Sequence, residues 1–441
     1  MFQRTDRLAC IEARTIVKPT ILVATTSSWV PTARLAMALS NAGCTVDAVC
    51  PSQHPMGKTN AVRRMHTYDG LAPLKSFKAA IAASGPDLIV PADDLATRHL
   101  HDQHRRGRRE GSAEAQICAL IEHSLGAAES FPVVFERNTF IEAAHHAGVR
   151  VPKSGVLNNA DDLRKHAGRL GFPMVLKANG TSGGDGVRIT QTLEEAERAL
   201  RALQAPPVFA RAAKRALMDH DATLVWPSLL RCRFVVNAQA FVAGREATST
   251  VFCWKGSVLA ALHFEVIKKM HAAGHAAVLR LIEHPEMSSA AEKMVRKLNL
   301  SGFYGFDFML EADTENAYLI EINPRTTQVG HLALGAGRDL PAALHAALSG
   351  ESVAASPKVT DKDTIALFPQ EWMRDPASEF LLSAYHDVPW EEPELVSDCI
   401  RKSQTQRAWY AKPKPLAARS PSLPLTARSE RRAVELDCEA K

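Results

Sequence analysis

No two of the eight cysteines stand as a Cys-x-x-Cys pair, and they are scattered from Cys10 to Cys438. That argues against a zinc site or a disulfide framework and for buried or free thiols. No apolar run approaches the ~20 residues needed to span a bilayer, so no membrane partner is expected. Residues Met1 to Leu8 lack the apolar core of a secretory signal, and a cytoplasmic protein is expected. Repeats of solenoid period are absent. The turn after the first apolar strand, Thr26 to Pro31, holds no Gly-x-Gly-x-x-Gly, so a dinucleotide site has no support there. Neither does the chain offer a Gly-x-x-x-x-Gly-Lys-[Ser/Thr] loop around its glycine cluster, because the lysine there precedes the glycines.

What is present fits a chain of several packed units. The length of 441 residues allows two to four of them, and 46% hydrophobic with 23% charged residues is ordinary for a globular protein. The net charge of +5 misleads: residues 401–441 carry ten Lys/Arg against four Asp/Glu, so the rest of the chain is close to neutral. This Pro/Ser/Arg-rich tail reads as a solvated, poorly ordered extension. With only Trp409 and Tyr410 it lacks the interleaved aromatics of a single-strand binder, and no nucleic-acid partner is expected.

Periodicity predicts a strand at Ile21 to Thr26, a helix over Pro31 to Ala42, and further strands at Thr45 to Cys50 and Asp87 to Pro91. Strand–helix–strand alternation implies a parallel sheet with helices on its faces. Arg98 to Glu110 contains His99, His101 and His104 among five arginines. A metal reading is open, but a solvated basic helix face or loop is the simpler expectation. Beyond residue 130 the pattern predicts helices at Arg137 to Ala147, Ala160 to Leu170, Gln191 to Leu203 and Pro285 to Leu298. Strands are predicted at Met174 to Lys177, Phe234 to Val242, Glu246 to Trp254 and Val258 to Val266. A hairpin is predicted from strands 303–310 and 317–322.

Two distant stretches carry chemistry. In the first, Lys177 ends a strand and is followed by Gly180, Thr181, Ser182, Gly183, Gly184 and Gly186. Glycines let backbone amides approach a phosphate, and lysine supplies a compact positive charge. In the second, Asp307 and Glu321 each sit between bulky apolar residues on a strand. Asn323 and Arg325 follow at intervals of two. If the strands pair, both acids and the amide face one cavity. Hard oxygen ligands of this kind suit Mg²⁺, and an arginine beside them can grip a carboxylate or phosphate.

Together these residues resemble the ATP-grasp superfamily, which includes biotin carboxylase, carbamoyl-phosphate synthase and the D-alanine ligases. The resemblance implies an α/β fold: an ATP-grasp fold behind an N-terminal Rossmann-like parallel-sheet domain. The expected divisions are 1–127 for that domain and 128–349 for the ATP-grasp domain, with a small lobe about 128–205 and a large lobe about 206–349. A cap or interface segment over 350–400 and the tail over 401–441 complete the chain. ATP with Mg²⁺ (or Mn²⁺) is implied. Lys177 would be the second phosphate lysine, Thr181 to Gly186 the loop closing over the phosphates, and Arg137 the first phosphate contact, where the family has lysine. Gln239, Phe241 and Val242 would be the adenine hinge, with Gln239 standing where glutamate is usual. Glu246 would lie near the ribose, Asp307, Glu321 and Asn323 would hold the metal, and Arg325 would steady the reacting carboxylate. The implied activity is ATP-dependent ligation of a small-molecule carboxylate to an amine, in a possible homodimer. A biotin-type carboxylase remains an alternative, although the chain has no Met-Lys-Met biotinyl segment. A kinase-like enzyme and a nucleotide-binding regulatory module without turnover also remain open. His263, Glu265, Lys268 and Lys269 could border the amine site, but strand-edge and solvent roles are the simpler expectation.

Overall fold

A computed structural model describes residues 18–111, 114–179, 186–205, 234–272, 274–352 and 357–411. The described residues build three sheets. The first holds β1 (Thr20–Ala24), β2 (Thr45–Cys50), β3 (Val62–Thr67) and β4 (Leu88–Pro91), all parallel in the order β3-β2-β1-β4. Alternate residues of β1 serve opposite faces. Ile21 and Val23 pack with Leu35 and Leu39 of the helix Val30–Asn41. Leu22 and Ala24 pack with Phe77 of the helix Pro73–Ser84 and Leu100 of the helix Asp94–Glu110.

That last helix corrects the solvated-face expectation for 98–110. His99 meets the Tyr68 hydroxyl at 3.1 Å, His101 stacks on Phe131 with ring centroids 3.9 Å apart, and His104 meets Glu122 at 2.6 Å. Burial pushes His101 down to about 3, so it packs as a neutral ring. Composition registered the arginines of the outer face but not the inner face, which packs on the helix Ala115–Leu125.

The second sheet, β5 (Ser154–Leu157), β6 (Met174–Ala178), β7 (Val187–Thr190) and β8 (Val236–Ala240), is antiparallel in the order β5-β8-β6-β7. Leu163 of the helix Ala160–Leu170 and Ala196, Leu200 and Leu203 of the helix Leu193–Gln204 cover one face. Because β8 pairs with β5 and β6, the chain leaves this lobe at residues 241–243. By strand pairing the small lobe therefore runs past the expected division at 206, because β8 belongs to its sheet.

The third sheet holds β9 (Gly244–Trp254), β10 (Ser257–Lys269), β11 (Ala276–Leu281), β12 (Gly302–Glu311), β13 (Ala317–Asn323), β14 (Thr364–Leu367) and β15 (Tyr385–Asp387). Its order is β13-β12-β9-β10-β11-β14-β15, antiparallel except for β14 with β15. Met287, Ala291, Met294 and Leu298 of the helix Pro285–Leu298 fill one face against Phe306 and Phe308. Phe252, Phe264 and Phe303 share the other face with Leu35, Leu332, Leu367 and Leu395, fusing the N-terminal sheet, the large sheet and the C-terminal segment into one core. Residues 364–387 thus extend the large sheet. The helix Pro393–Ala411 runs past the expected tail boundary at 401; residues 412–441 lie outside the described residues.

A buried ion network pins these parts together. Asp387 of β15 accepts from Arg34 Nη2 at 2.5 Å and from His331 Nε2 at 2.7 Å. Burial pushes its carboxyl up, but His331 and Arg34 outweigh that and hold it below 3.8. Removing one partner of a buried pair strands the others. Asp387→Ala should lower unfolding stability by about 3 kcal/mol in urea titration. The carboxylate's contribution should be complete above the ordinary carboxylate range and fade as pH falls through the depressed value.

Candidate active site

The cleft lies between the small-lobe sheet and the edge of the large one. Along β6 and β8, Leu176, Ala178, Val236 and Ala238 enter the small-lobe core. Alternation turns Lys177, Asn237 and Gln239 the other way. Lys177 pairs directly with Asn237, and Gln239 with Val175. Arg137, Asn138, Ile141, Ser154 and Ile320 complete the lining. A larger pocket of about 470 Å³, between Asp361 and Ala384, shares no residue with this cleft and holds none of the predicted site residues.

Lys177 is buried. Desolvation pulls its ammonium down to about 8 against the opposing pull of Glu321, while Arg137 adds to the depression. A lysine in this state keeps its charge at neutral pH and gains from any anion brought to it. It stands at the root of the β6–β7 hairpin, where Ala178 N donates to Gly186 O at 2.9 Å. Thr181, Ser182, Gly183 and Gly184 lie outside the described residues; Asn179 and Gly186, which flank residues 180–185, are placed. Asn237 Nδ2 donates to Asn179 Oδ1 at 3.0 Å, tying the loop's first residue to β8.

On the large sheet, register does the work. Asp307 pairs with Glu321 and Gly305 with Asn323, while Phe308 pairs with Leu319. The register shift leaves Ile320 as an extra residue, a β-bulge. Simple alternation would have buried Ile320 opposite Glu321; instead it lines the cleft. Asp307 accepts from Thr248 Oγ1 and Asn323 Nδ2, each at 2.9 Å. Burial and the adjacent Glu321 push its carboxyl up to about 6, against these two donors and Arg325. Two facing carboxylates form a hard donor pair. An amide flip of Asn323, whose Nδ2 now faces Asp307 and whose Oδ1 faces Arg325, would add its oxygen. The repulsion that joins burial in raising Asp307 is what a divalent cation would relieve. The residues present therefore fit Mg²⁺, with Asp307, Glu321 and Asn323 as its candidate holders.

Arg137 begins the helix Arg137–His146 and bridges the lobes. It donates to the Ala178 carbonyl of β6 and, at 2.7 Å, to Glu321 Oε1 of β13. Arg325 reaches the other way. Its Nη2 donates to Asn323 Oδ1 at 3.3 Å and its Nε to Asp94 of the N-terminal domain at 3.2 Å.

Phe241 and Val242 lie at the crossover between the sheets, Phe241 exposed and Val242 half-buried. Gly244 opens β9 so close to β12 that a Cβ would fall 1.8 Å from the Leu310 carbonyl oxygen, a fit only glycine allows. Glu246 shares a face of β9 with Thr248 and pairs with Lys269 at 2.7 Å. His263 and Glu265 depart from the solvent-edge expectation: both are buried. His263 lies between Ser249 (2.7 Å) and Ser288 (2.9 Å), and Glu265 is paired with Arg245 and Arg280. Arg245 and Arg280 neutralise Glu265, which apolar flanks in the sequence do not reveal.

Sequence reasoning missed Asn237, Thr248, Ile320 and Asp94. Thr248 stands two residues after Glu246 on one strand, and Asn237 two before Gln239, so face alternation carried a signal for both.

With this geometry in place, comparison with known proteins shows what the chain resembles. Residues 136–336 match the carbamoyl-phosphate synthase L chain, ATP binding domain. This part of the chain is an ATP-grasp domain. The chain is 22% identical over 202 residues to the carbamoyl phosphate synthase large chain of Rubrobacter xylanophilus, covering 45% of this chain and 18% of that protein. It is 23% identical over 256 residues to the arginine-specific large chain of Geobacillus stearothermophilus, covering 58% and 22%. It thus spans about a fifth of the length of these relatives. Among solved structures it resembles an ADP complex of N5-carboxyaminoimidazole ribonucleotide synthetase (TM-score 0.54, 15% identity, 79% of this chain and 81% of that one). It also resembles a biotin carboxylase–β,γ-ATP complex from Campylobacter jejuni (TM-score 0.53, 16% identity, 76% and 72%). These likenesses establish the ATP-grasp fold. No described helix is long and apolar enough to cross a membrane.

The electrostatics give a direct check. Glu321→Gln removes the like charge facing Asp307, so the Asp307 carboxyl should titrate below about 6. Carboxyl-carbon NMR of the metal-free protein should report the shift; an unmoved titration would show that Glu321 does not act on Asp307.

Proposed function

We propose that this chain is an ATP-dependent carboxylate–amine ligase that activates a small-molecule carboxylate as an acyl phosphate and joins it to an amine, releasing ADP and phosphate. The observation that carries this reading is the facing pair Asp307–Glu321, set on the large sheet across the cleft from Lys177 and bridged to β6 by Arg137. A nucleotide in this cleft would have its phosphates at Lys177 and Arg137, and its base toward Gln239, Phe241 and Val242. The Gln239 amide oxygen can accept from an adenine amino group as a carboxylate would. Glu246 would lie on the ribose side. The loop 181–186 would close over the phosphates and shield the acyl phosphate from water.

Mg²⁺, when held by Asp307, Glu321 and Asn323, would neutralise phosphate charge. The protein's own residues do the rest. Arg325 orients the substrate carboxylate, one oxygen of which attacks the γ-phosphorus as the bridging P–O bond to ADP breaks. Lys177 and Arg137 stabilise the charge that gathers on the phosphoryl oxygens. The amine nitrogen then attacks the acyl carbon, the C–O bond to phosphate breaks, and the amine proton leaves with phosphate or solvent. No side chain forms a covalent bond, so positioning and electrostatics carry the rate. An intact donor set favours turnover over a purely regulatory role.

A screen of amino acids and small acids for ADP release, with mass spectrometry of the product, tests the reading. ADP formed only with a carboxylate and an amine present is expected; ATP binding without release for any acid tested would favour the regulatory alternative. Glu321→Ala should reduce turnover on the order of a hundredfold or more while circular dichroism stays native. Full retained activity would sink the metal assignment.

A further inference from the structure

Two side-chain amides stand on the cleft face of β8, and they differ in freedom. Gln239, between Ser154 of β5 and Val175 of β6, has an amide that can present either its oxygen or its NH2 group to a base. Asn237, directly opposite Lys177, is 5% exposed. Its Nδ2 donates to Asn179 Oδ1 at 3.0 Å, which commits the amide to one orientation. The remaining Oδ1 is buried and has no partner, so Lys177 beside it does not supply the missing donor. An acceptor in this state favours any donor brought to it. Asn237 and Asn179 both belong to the small lobe. Their pairing therefore survives when the lobes part to admit a nucleotide into a cleft with about 20 Å³ of free space. Ile141 and Ile320 line the same cleft and offer apolar surface to a flat base.

We propose that Asn237 selects adenine over purines with a carbonyl in place of its amino group, guanine and hypoxanthine among them. The Asn237 Oδ1 accepts a hydrogen bond from the exocyclic amino group of adenine. A carbonyl at the same carbon would set two acceptors against each other. Gln239 cannot make this distinction, because its amide turns to suit either base. Asn237 cannot turn without losing Asn179. The adenine amino group carries two N–H bonds, so it can serve Gln239 and Asn237 together. The assignment rests on the nucleotide reading of the cleft and adds to it the side chain that reads the base.

Calorimetry on the full chain with magnesium tests it, using ADP, inosine diphosphate and purine riboside diphosphate, which carries only hydrogen at the position in question. ADP should bind about tenfold tighter than the purine riboside compound, and inosine diphosphate should bind weakest. Asn237→Ala should weaken ADP about tenfold, leave the purine riboside compound within about twofold, and close most of the gap to inosine diphosphate. Asn179→Ala keeps Asn237 but frees its amide to turn, so it should close that gap as well. Gln239→Ala should leave the ratio of ADP to inosine diphosphate within about threefold. Circular dichroism checks the fold of each variant; if Asn237→Ala does not fold, Asn179→Ala and the unaltered chain decide. Inosine diphosphate binding as tightly as ADP to the unaltered chain, or a gap that survives in the asparagine variants, overturns the assignment. So does an equal loss of all three nucleotides in Asn237→Ala, the mark of a residue that only supports Lys177. ADP that fails to bind removes the nucleotide reading and this assignment with it, whereas ADP that binds without these ratios removes the assignment alone.

Discussion

Everything at the site depends on one constraint: the antiparallel register that sets Asp307 opposite Glu321. Two carboxylates held face to face on a buried sheet repel each other, and that repulsion adds to burial, the larger cause, in pushing Asp307 up. A fold built for stability alone would place an apolar pair there, as the flanking Phe306–Ile322 and Phe308–Leu319 pairs do. The surroundings are organised to hold that repulsion in place. Thr248 and Asn323 each give Asp307 a hydrogen bond, Arg137 takes up Glu321, and the bulge at Ile320 aims Glu321 across the cleft.

The same arrangement couples the parts of the molecule. Arg137 touches β6 and β13 together, so the two lobes share one cation beside the Asp307–Glu321 pair. Arg325 does the equivalent between the large lobe and the N-terminal domain through Asp94. The Arg34–Asp387–His331 network fixes the C-terminal strands against both. His331 lies on the segment that follows Arg325, so the packing of β15 bears on the placement of Arg325 through a short stretch of backbone.

The parts legible in the sequence were those governed by local period. Helix Ala160–Leu170 and helix Pro285–Leu298 run between the expected residues, and the hairpin carrying Asp307 and Glu321 forms across 312–316. Spacing by two placed Glu321 and Asn323 on one face because strands alternate. Non-local pairing was not legible. That β8 belongs to the small lobe, that β14 and β15 extend the large sheet, and that His99, His101 and His104 point inward all depend on partners far along the chain. Buried charge misled in the same way: Glu265 reads as a solvent residue until Arg245 and Arg280 are seen beside it.

The departure at Arg137 has a physical consequence. A lysine offers a mobile point charge, whereas a guanidinium presents a rigid fork that can hold two acceptors at once. Here that fork is divided between a small-lobe carbonyl and a large-lobe carboxylate. Incoming phosphate oxygens would compete with Glu321 for it, while a cation at Asp307 and Glu321 would weaken the claim of Glu321 on the arginine. If the cleft binds metal and nucleotide as proposed, both would favour the same rearrangement, each lowering the cost for the other. A lysine reaching only the phosphate would leave the two events less tightly linked.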